Sequence, residues 1–394
     1  MTHSQEIREA RRLKVGVLLS GRETFGPFYG GALARWTYEV YRRLTDQLDV
    51  EVFGFPPRRQ DFYAMPYQSS RFTGICRIMT AIPVIRRNED RFWLWTLRER
   101  WRQAEVLHVH SRPQWVGVLR DLGYRGKLVL HLHNDHLGHW TGKMLDGLAP
   151  KLDAVVTCSS YLRERFAAGS PALASKARVV FNGVNTQVFC PSTGMRETKT
   201  IFFVGRFDPE KGVRELVKAY ALILEFHPDA VLVIAGTTGF GTHKETAYVQ
   251  EVRQLAELIE RRGGNIKFIG YADHDTQLPS WFQKATIFVC PSLFQEPFGL
   301  VNVEAMACAT PVVGARRGGI PEVLGDTGML VDPENTKEFA DALSLLLSDA
   351  GLRNRMGEAG YERCRIMFDW DVVASHWNAL LQSVGRDSNA TCIS

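Results

Sequence analysis

Short apolar runs of strand length, separated by stretches with helical periodicity, recur along this chain and then begin again near its middle. The first series is Lys14–Ser20, Val50–Gly54, Val106–His110, Leu128–His133 and Ala154–Cys158. The second is Thr200–Gly205, Val231–Gly236, Ile266–Gly270 and Ile287–Cys290. Runs that are apolar throughout, rather than alternating, suit strands buried on both faces, and parallel sheets covered by helices provide that burial. The expected fold class is therefore α/β, with doubly wound, Rossmann-like parallel sheets. The first long helical pattern reads as Ala32 to Leu48.

A chain of 394 residues is too long for one ordinary core, and the restart of the strand series gives two domains. The boundaries expected are 1–190, 191–365, an amphipathic helix over 366–385, and a loose polar tail over 386–394. Pro191–Arg196 reads as the linker. Hydrophobic residues at 45% and charged residues at 23% describe an ordinary globular chain, and no apolar run reaches transmembrane length. Met1 to Arg12 lacks the apolar core of a signal peptide. Seven scattered cysteines with no CxxC read as free thiols, so a cytoplasmic location is expected. A net charge of +5 suits a phosphorylated ligand or an anionic membrane surface. Arg86, Arg87, Arg91, Arg98 and Arg100, interleaved with Phe92, Trp93, Trp95 and Trp101, raise the same membrane reading for one segment. An aromatic core face with a solvated arginine face competes with it. No nucleic-acid-binding module accompanies the charge.

Gln295–Ala307 is where chemistry concentrates. Glu296 and Glu304 flank a Pro-Phe-Gly turn that opens an apolar helical run. Backbone N–H groups at such a helix start favour an anionic phosphate. Upstream, Gly205-Arg206-Phe207-Asp208-Pro209-Glu210-Lys211-Gly212 follows a strand and precedes a helix. Arg206 can place forked donors on phosphate oxygens and Lys211 adds a point charge, although an ion pair of Arg206 with Asp208 or Glu210 is the bland alternative. Tyr29-Gly30-Gly31 precedes the first long helix, where two glycines allow the backbone close to a phosphate. His131 and His133 alternate onto one strand face. Together with His108, His110, His136 and His139 they raise a metal site, yet the spacing lacks HExxH or a cysteine partner, so no metal is expected.

The Glu296–Glu304 segment, with Thr310–Gly314 and Gly318–Val323 behind it, resembles the donor site of the family 4 retaining glycosyltransferases. The likeness extends to Asn182–Pro191, and so over nearly the whole chain. Two departures are Ala309, where the family usually has Gly, and Asn185, where Asp is common. The resemblance implies the GT-B fold, two facing Rossmann-like domains with the last helix crossing back to the first. It implies a metal-independent hexosyltransferase that moves a sugar from a nucleotide-sugar to an acceptor hydroxyl, with the nucleotide-sugar as substrate and no cofactor. The acceptor would be a glycan, a lipid-linked or a small molecule, in bacterial polysaccharide or glycoconjugate synthesis, with peripheral contact at the inner face of the membrane as an option. The residues carried over as catalytic are Arg206, Lys211, Glu296 and His133. Those carried over as donor-binding are Gly30, Gly31, Arg206, Lys211, Glu296, Phe298, Gly299, Leu300, Val301 and Glu304. Arg206 and Lys211 would meet the diphosphate, Glu304 the ribose diol, Glu296 and His133 the donor sugar. A nucleotide-sugar epimerase of the same fold and a non-catalytic sugar-nucleotide or glycan-binding protein are the competing classes. A nicotinamide dehydrogenase would need G-x-G-x-x-G after the first strand, and the Gly21–Gly31 loop does not supply it.

Overall fold

The computed structural model describes residues 11–19, 23–26, 31–55, 62–69, 89–192, 194, 199–237 and 246–386. Two parallel sheets form. The first has seven strands in the order β3-β2-β1-β4-β5-β6-β7. These are β1 Leu13–Leu18, β2 Leu48–Gly54, β3 Tyr67–Ser69, β4 Val106–His110, β5 Lys127–Leu132, β6 Ala154–Thr157 and β7 Ala177–Val179. The second has six in the order β10-β9-β8-β11-β12-β13. Its strands are β8 Thr200–Val204, β9 Val231–Ala235, β10 Asn265–Gly270, β11 Ile287–Cys290, β12 Val312–Ala315 and β13 Met329–Val331. In each sheet the winding direction reverses once, between β1 and β4 and between β8 and β11. Ligand sites of doubly wound folds gather beyond the carboxyl ends of the strands at such a reversal.

The chain divides into two compact units: residues 1–158, 163–180 and 374–394, and residues 159–162 with 181–373. Residues 181–190 count with the second unit because their partners lie there. Phe181 packs on Phe298 and Phe368, Val184 bridges to Asp369, and the Cys190 carbonyl accepts from Gln283 at 2.8 Å. The final helix, Trp370–Arg386, is shared: its first turn counts with the second unit and the remainder with the first.

The expected helix Ala32–Leu48 is shorter in the structure, Ala32–Tyr41. Its apolar periodicity runs on into Leu44 and Leu48, but Leu48 is the first residue of β2, and Leu44 is buried in the turn between them. The Arg/Trp segment folds, over its described part, as a core face. Trp93 and Trp101 are buried, and the Trp101 indole donates to the Leu94 carbonyl. Arg91 and Arg100 pair with Asp121 and Glu51, while Arg98 lies over the exposed Trp95 ring. Arg86 and Arg87 lie outside the described residues. Among the described residues no helix is long and apolar enough to cross a membrane.

Candidate functional site: a charged cradle and a histidine face

In the second unit the loops after β8 and β11 meet because those strands are sheet neighbours and the backbones touch. Gly212 lies in the left-handed region at φ +70° and starts the helix Val213–Ile223. A Cβ there would collide with the Pro291 carbonyl oxygen. The Leu293 N–H donates to the Glu210 carbonyl at 2.7 Å, closing one loop on the other. This contact delivers Lys211 to Glu296: Nζ lies 2.7 Å from Oε2, and the Ser292 hydroxyl donates to the same oxygen at 3.1 Å. Both side chains are mostly enclosed, at 20% and 16% exposure, so each charge compensates the other. Arg206 is more open and pairs with Asp208 at 2.6 Å. An exposed pair of this kind contributes only about 0–1 kcal/mol and can be given up to a stronger anion.

Glu296 begins the turn that Gly318 and Gly319 brace. The Gly318 N–H donates to the Gln295 side chain, and the Gly319 N–H to the Glu296 carbonyl, both at 2.7 Å. The turn ends at Gly299, φ +83°, which caps the helix Leu300–Ala307 with no side-chain hydrogen bond. Leu300 and Val301 form the first helical turn there and are half-buried. Phe298, expected at the donor, turns its ring into the cluster with Phe181 and Phe368, so only its backbone remains for a ligand. Glu322 is committed elsewhere: it accepts from the Ser160 N–H at 2.7 Å.

Glu304 is buried on the helix Leu300–Ala307. Its Oε1 lies 2.8 Å from His274 Nε2, and its Oε2 is buried with no hydrogen-bond partner. An unpartnered buried carboxylate oxygen is costly, so this oxygen has capacity for one further hydrogen-bond donor. His274 was missed by the sequence reading. It stands in the polar loop after β10, where only its approach to Glu304, thirty positions away, distinguishes it.

The first unit holds a different arrangement. Its helix Ala32–Tyr41 starts at Gly31, but the acceptor met there is a protein carboxylate: Glu23 Oε1 accepts from the Ala34 N–H at 2.9 Å. Glu23 was also missed; a lone acidic residue in a loop carries no pattern. Gly30 lies outside the described residues. The carboxyl ends of β4 and β5 carry four histidines on one face. His110 pairs with His131 across the strands. Trp36 lies edge-on to all four rings, with centroids 4.7–5.9 Å away. Trp377 of the last helix stacks on His131. Burial, with neighbouring histidines adding to it, holds His108, His110 and His131 well below the usual imidazole range, so they are neutral.

His108, His110 and His131 each bring a ring nitrogen within 4.8 Å of the others. The set is three neutral rings, with no carboxylate or thiolate in it. Several nitrogens are already engaged: His108 Nδ1 with Tyr41, His110 Nε2 with Thr37, and His110 Nδ1 with His133. The remaining nitrogens, His108 Nε2 and both of His131, are buried without a hydrogen-bond partner.

Comparison with known proteins finds two family models in succession along the chain. The family model "Glycosyltransferase Family 4" matches residues 29–188, and "Glycosyl transferases group 1" matches 192–363. The chain is 30% identical to alpha-maltose-1-phosphate synthase of Mycolicibacterium smegmatis, over 91% of this chain and 96% of that one. It is 29% identical to spore coat protein SA of Bacillus subtilis, over 69% and 76%. Among solved structures, sucrose-phosphate synthase from Thermosynechococcus elongatus superposes with a TM-score of 0.73 at 20% identity, covering 95% of this chain and 99% of that one. Anabaena HepE in complex with UDP gives 0.71 at 19%, covering 94% and 100%.

Proposed function

The chain belongs to the family 4 glycosyltransferases, and from that premise we propose that it transfers a hexosyl group, with retention and without a metal ion, from a nucleotide-sugar to an acceptor hydroxyl. The observation that carries the donor site is the meeting of Lys211 with Glu296 beside the uncapped start of the helix Leu300–Ala307, with the unpartnered Glu304 oxygen on that same helix.

In this reading the diphosphate displaces two internal ion pairs. Arg206 leaves Asp208, and Lys211 is shared between phosphate and Glu296. The helix start of Gly299, Leu300 and Val301 adds N–H donors and the positive end of the helix dipole. These groups stabilise charge that grows on the departing nucleotide, which is why no metal is required. Glu304 Oε2 accepts from the ribose diol, while His274 holds Oε1 and fixes the carboxylate plane. Glu296, released in part from Lys211, accepts from hydroxyls of the donor sugar. The family resemblance assigns His133 to the donor sugar as well. The acceptor attacks on the face the nucleotide leaves, so the anomeric configuration is kept without a covalent protein intermediate. The acceptor class is a glycan, a lipid-linked or a small molecule of a bacterial-type glycoconjugate route.

The test is nucleotide release from UDP-, GDP-, ADP- and dTDP-sugars by purified protein in the presence of EDTA, with NMR assignment of the product anomer. One donor should be turned over. Glu304→Ala and Arg206→Ala should each lower turnover by about 2–4 kcal/mol of transition-state stabilisation. Near-normal turnover by both variants would remove the donor-site assignment, loss of activity in EDTA the metal-independent reading, and an inverted product the retaining one.

A further inference from the structure

Thr37, His110 and His133 form a continuous hydrogen-bonded line. The Thr37 hydroxyl lies 2.9 Å from His110 Nε2, and His110 Nδ1 lies 3.1 Å from His133 Nε2. Thr37 and His110 are fully buried. The His110 ring is fenced by Trp36, His108, His131 and His133, with centroids 4.0–5.6 Å away, so it cannot turn over without repacking.

A neutral imidazole has one N–H and one lone pair. His110 is neutral because burial and the adjacent histidines oppose a charge. It must therefore donate in one of its two hydrogen bonds and accept in the other. If Thr37 donates to Nε2, His110 Nδ1 donates to His133 Nε2, and a neutral His133 carries its proton on Nδ1. If His110 donates to Thr37, the line reverses, and His133 carries its proton on Nε2. The direction at one end fixes the tautomer at the other.

The backbone of His133 is held independently. Ser111 lies in the left-handed region at φ +48°, an uncommon conformation for a residue with a side chain. Its hydroxyl accepts from the His133 N–H at 3.3 Å, and its own N–H donates to the His131 carbonyl at 2.8 Å. A strained residue kept at the end of β4 is the pattern of a position held for function.

We propose that Thr37 and His110 are positioning residues that set which ring nitrogen of His133 carries the proton, and so whether its Nδ1 gives or accepts a hydrogen bond at the donor sugar. The proposal rests on the reading of His133 as a donor-site residue. Orientation and tautomer control by a second group is a recurrent use of histidine.

The experiment combines nitrogen NMR of 15N-histidine-labelled protein with turnover of the donor identified above. The wild type should show one His133 tautomer. Thr37→Val removes the hydroxyl at nearly constant shape and should give a mixed or reversed tautomer, and Thr37→Ser should restore the original one. Turnover should fall in Thr37→Val on the order of tenfold to a hundredfold. Thr37→Ser should recover it, and the double variant with His133→Ala should be no slower than His133→Ala alone. An unchanged His133 tautomer in Thr37→Val overturns the proposal, and so does a loss that adds to that of His133→Ala. Tautomer control observed in a protein that turns over no donor would uphold the relay and remove the donor reading, so the two failures are distinct.

Discussion

The two regions that carry polar chemistry solve the same problem in opposite ways. Both stand at carboxyl ends of parallel strands beside a reversal of winding, where the fold leaves a crevice. In the second unit, the Lys211–Glu296 cradle is made of full charges that cancel within it. In the first, the β4–β5 face is made of neutral rings whose charged forms are suppressed by burial. A compensated pair can exchange partners with an anionic ligand at modest cost, so on the proposed function the second region is the one that responds to a substrate. A buried neutral face responds instead to protons and to the packing around it. The difference teaches that loss of one charge in the cradle should appear chiefly in activity, whereas disturbance of the buried interior of the histidine face, His108 and His131, should appear chiefly in stability.

Glycines at the helix starts of the two units break that comparison most severely. Gly212→Ala should destabilise the protein by more than about 2 kcal/mol, because it combines a left-handed backbone with a collision against the Pro291 carbonyl. Donor binding should be lost with it, since the same contact brings Lys211 to Glu296. Gly31→Ala is the control: its backbone is extended, and the added Cβ would meet only the Glu23 carboxylate, at 3.0 Å. Its cost should stay below about 1 kcal/mol. Denaturant unfolding of both variants decides the matter, and wild-type stability for Gly212→Ala would mean the two loops are not seated as described.

Acid should act through the first unit. The three buried histidines have folded-state affinities for protons below those of the unfolded chain. The unfolded state therefore binds more protons below about pH 6.5, and stability is present above that value and falls as pH drops beneath it. The slope should be on the order of 1 kcal/mol per pH unit for each histidine that titrates. Replacement of His131, whose ring nitrogens are both buried without a partner, by Leu should flatten the slope by about one histidine and raise stability near neutrality. Unfolding curves between pH 7.5 and about 5 measure both effects. An unaltered slope in His131→Leu would show that the ring is not neutral in the folded state.

The cradle gives the complementary test. Lys211→Met and Glu296→Gln each leave one enclosed charge uncompensated and should cost about 1–2 kcal/mol, between the values for exposed and fully buried pairs. The double variant should recover most of that stability. None of the three should recover turnover, because stability needs only cancellation while catalysis needs the charges themselves. Turnover restored together with stability in the double variant would reduce the pair to a structural role.

These contrasts also mark what the sequence made legible. The long inner strands were readable because burial on both faces leaves continuous apolar runs such as Val231–Ala235. Strands β3, β7 and β13 have three residues each, too few for any period to register, and β12 follows Thr310-Pro311, where the turn signal dominates. The cradle residues were legible through a local motif. The partners that complete them were not: His274 reaches Glu304 from the loop after β10, and Glu23 takes the helix start that Gly31 opens, from a segment with no pattern of its own. The histidine face was visible as a list of histidines. Strand register, which places His110 beside His131, turns that list into a packed stack, and register is a property of the sheet rather than of spacing along the chain.

Ala309 gives the smallest expected effect and the sharpest link between sequence and backbone. It was noticed because it stands where the resembled family usually has glycine, and the structure supplies the reason for that preference. Ala309 lies in the left-handed region at φ +54°, at the turn between the helix Leu300–Ala307 and β12. A Cβ in that conformation crowds the following carbonyl and costs roughly 1–2 kcal/mol. Glycine would relieve the crowding but return part of the gain, about 0.4–1 kcal/mol, through its freer unfolded chain. Ala309→Gly should therefore stabilise the protein by about 0.5–1 kcal/mol. Donor turnover should change little, because the turn lies at the far end of the helix from Gly299 and Glu304 keeps its place on that helix. A destabilised variant would mean that the methyl group contributes more by packing than it costs in backbone strain, and the departure from glycine would then be an adaptation of this chain rather than a tolerated defect.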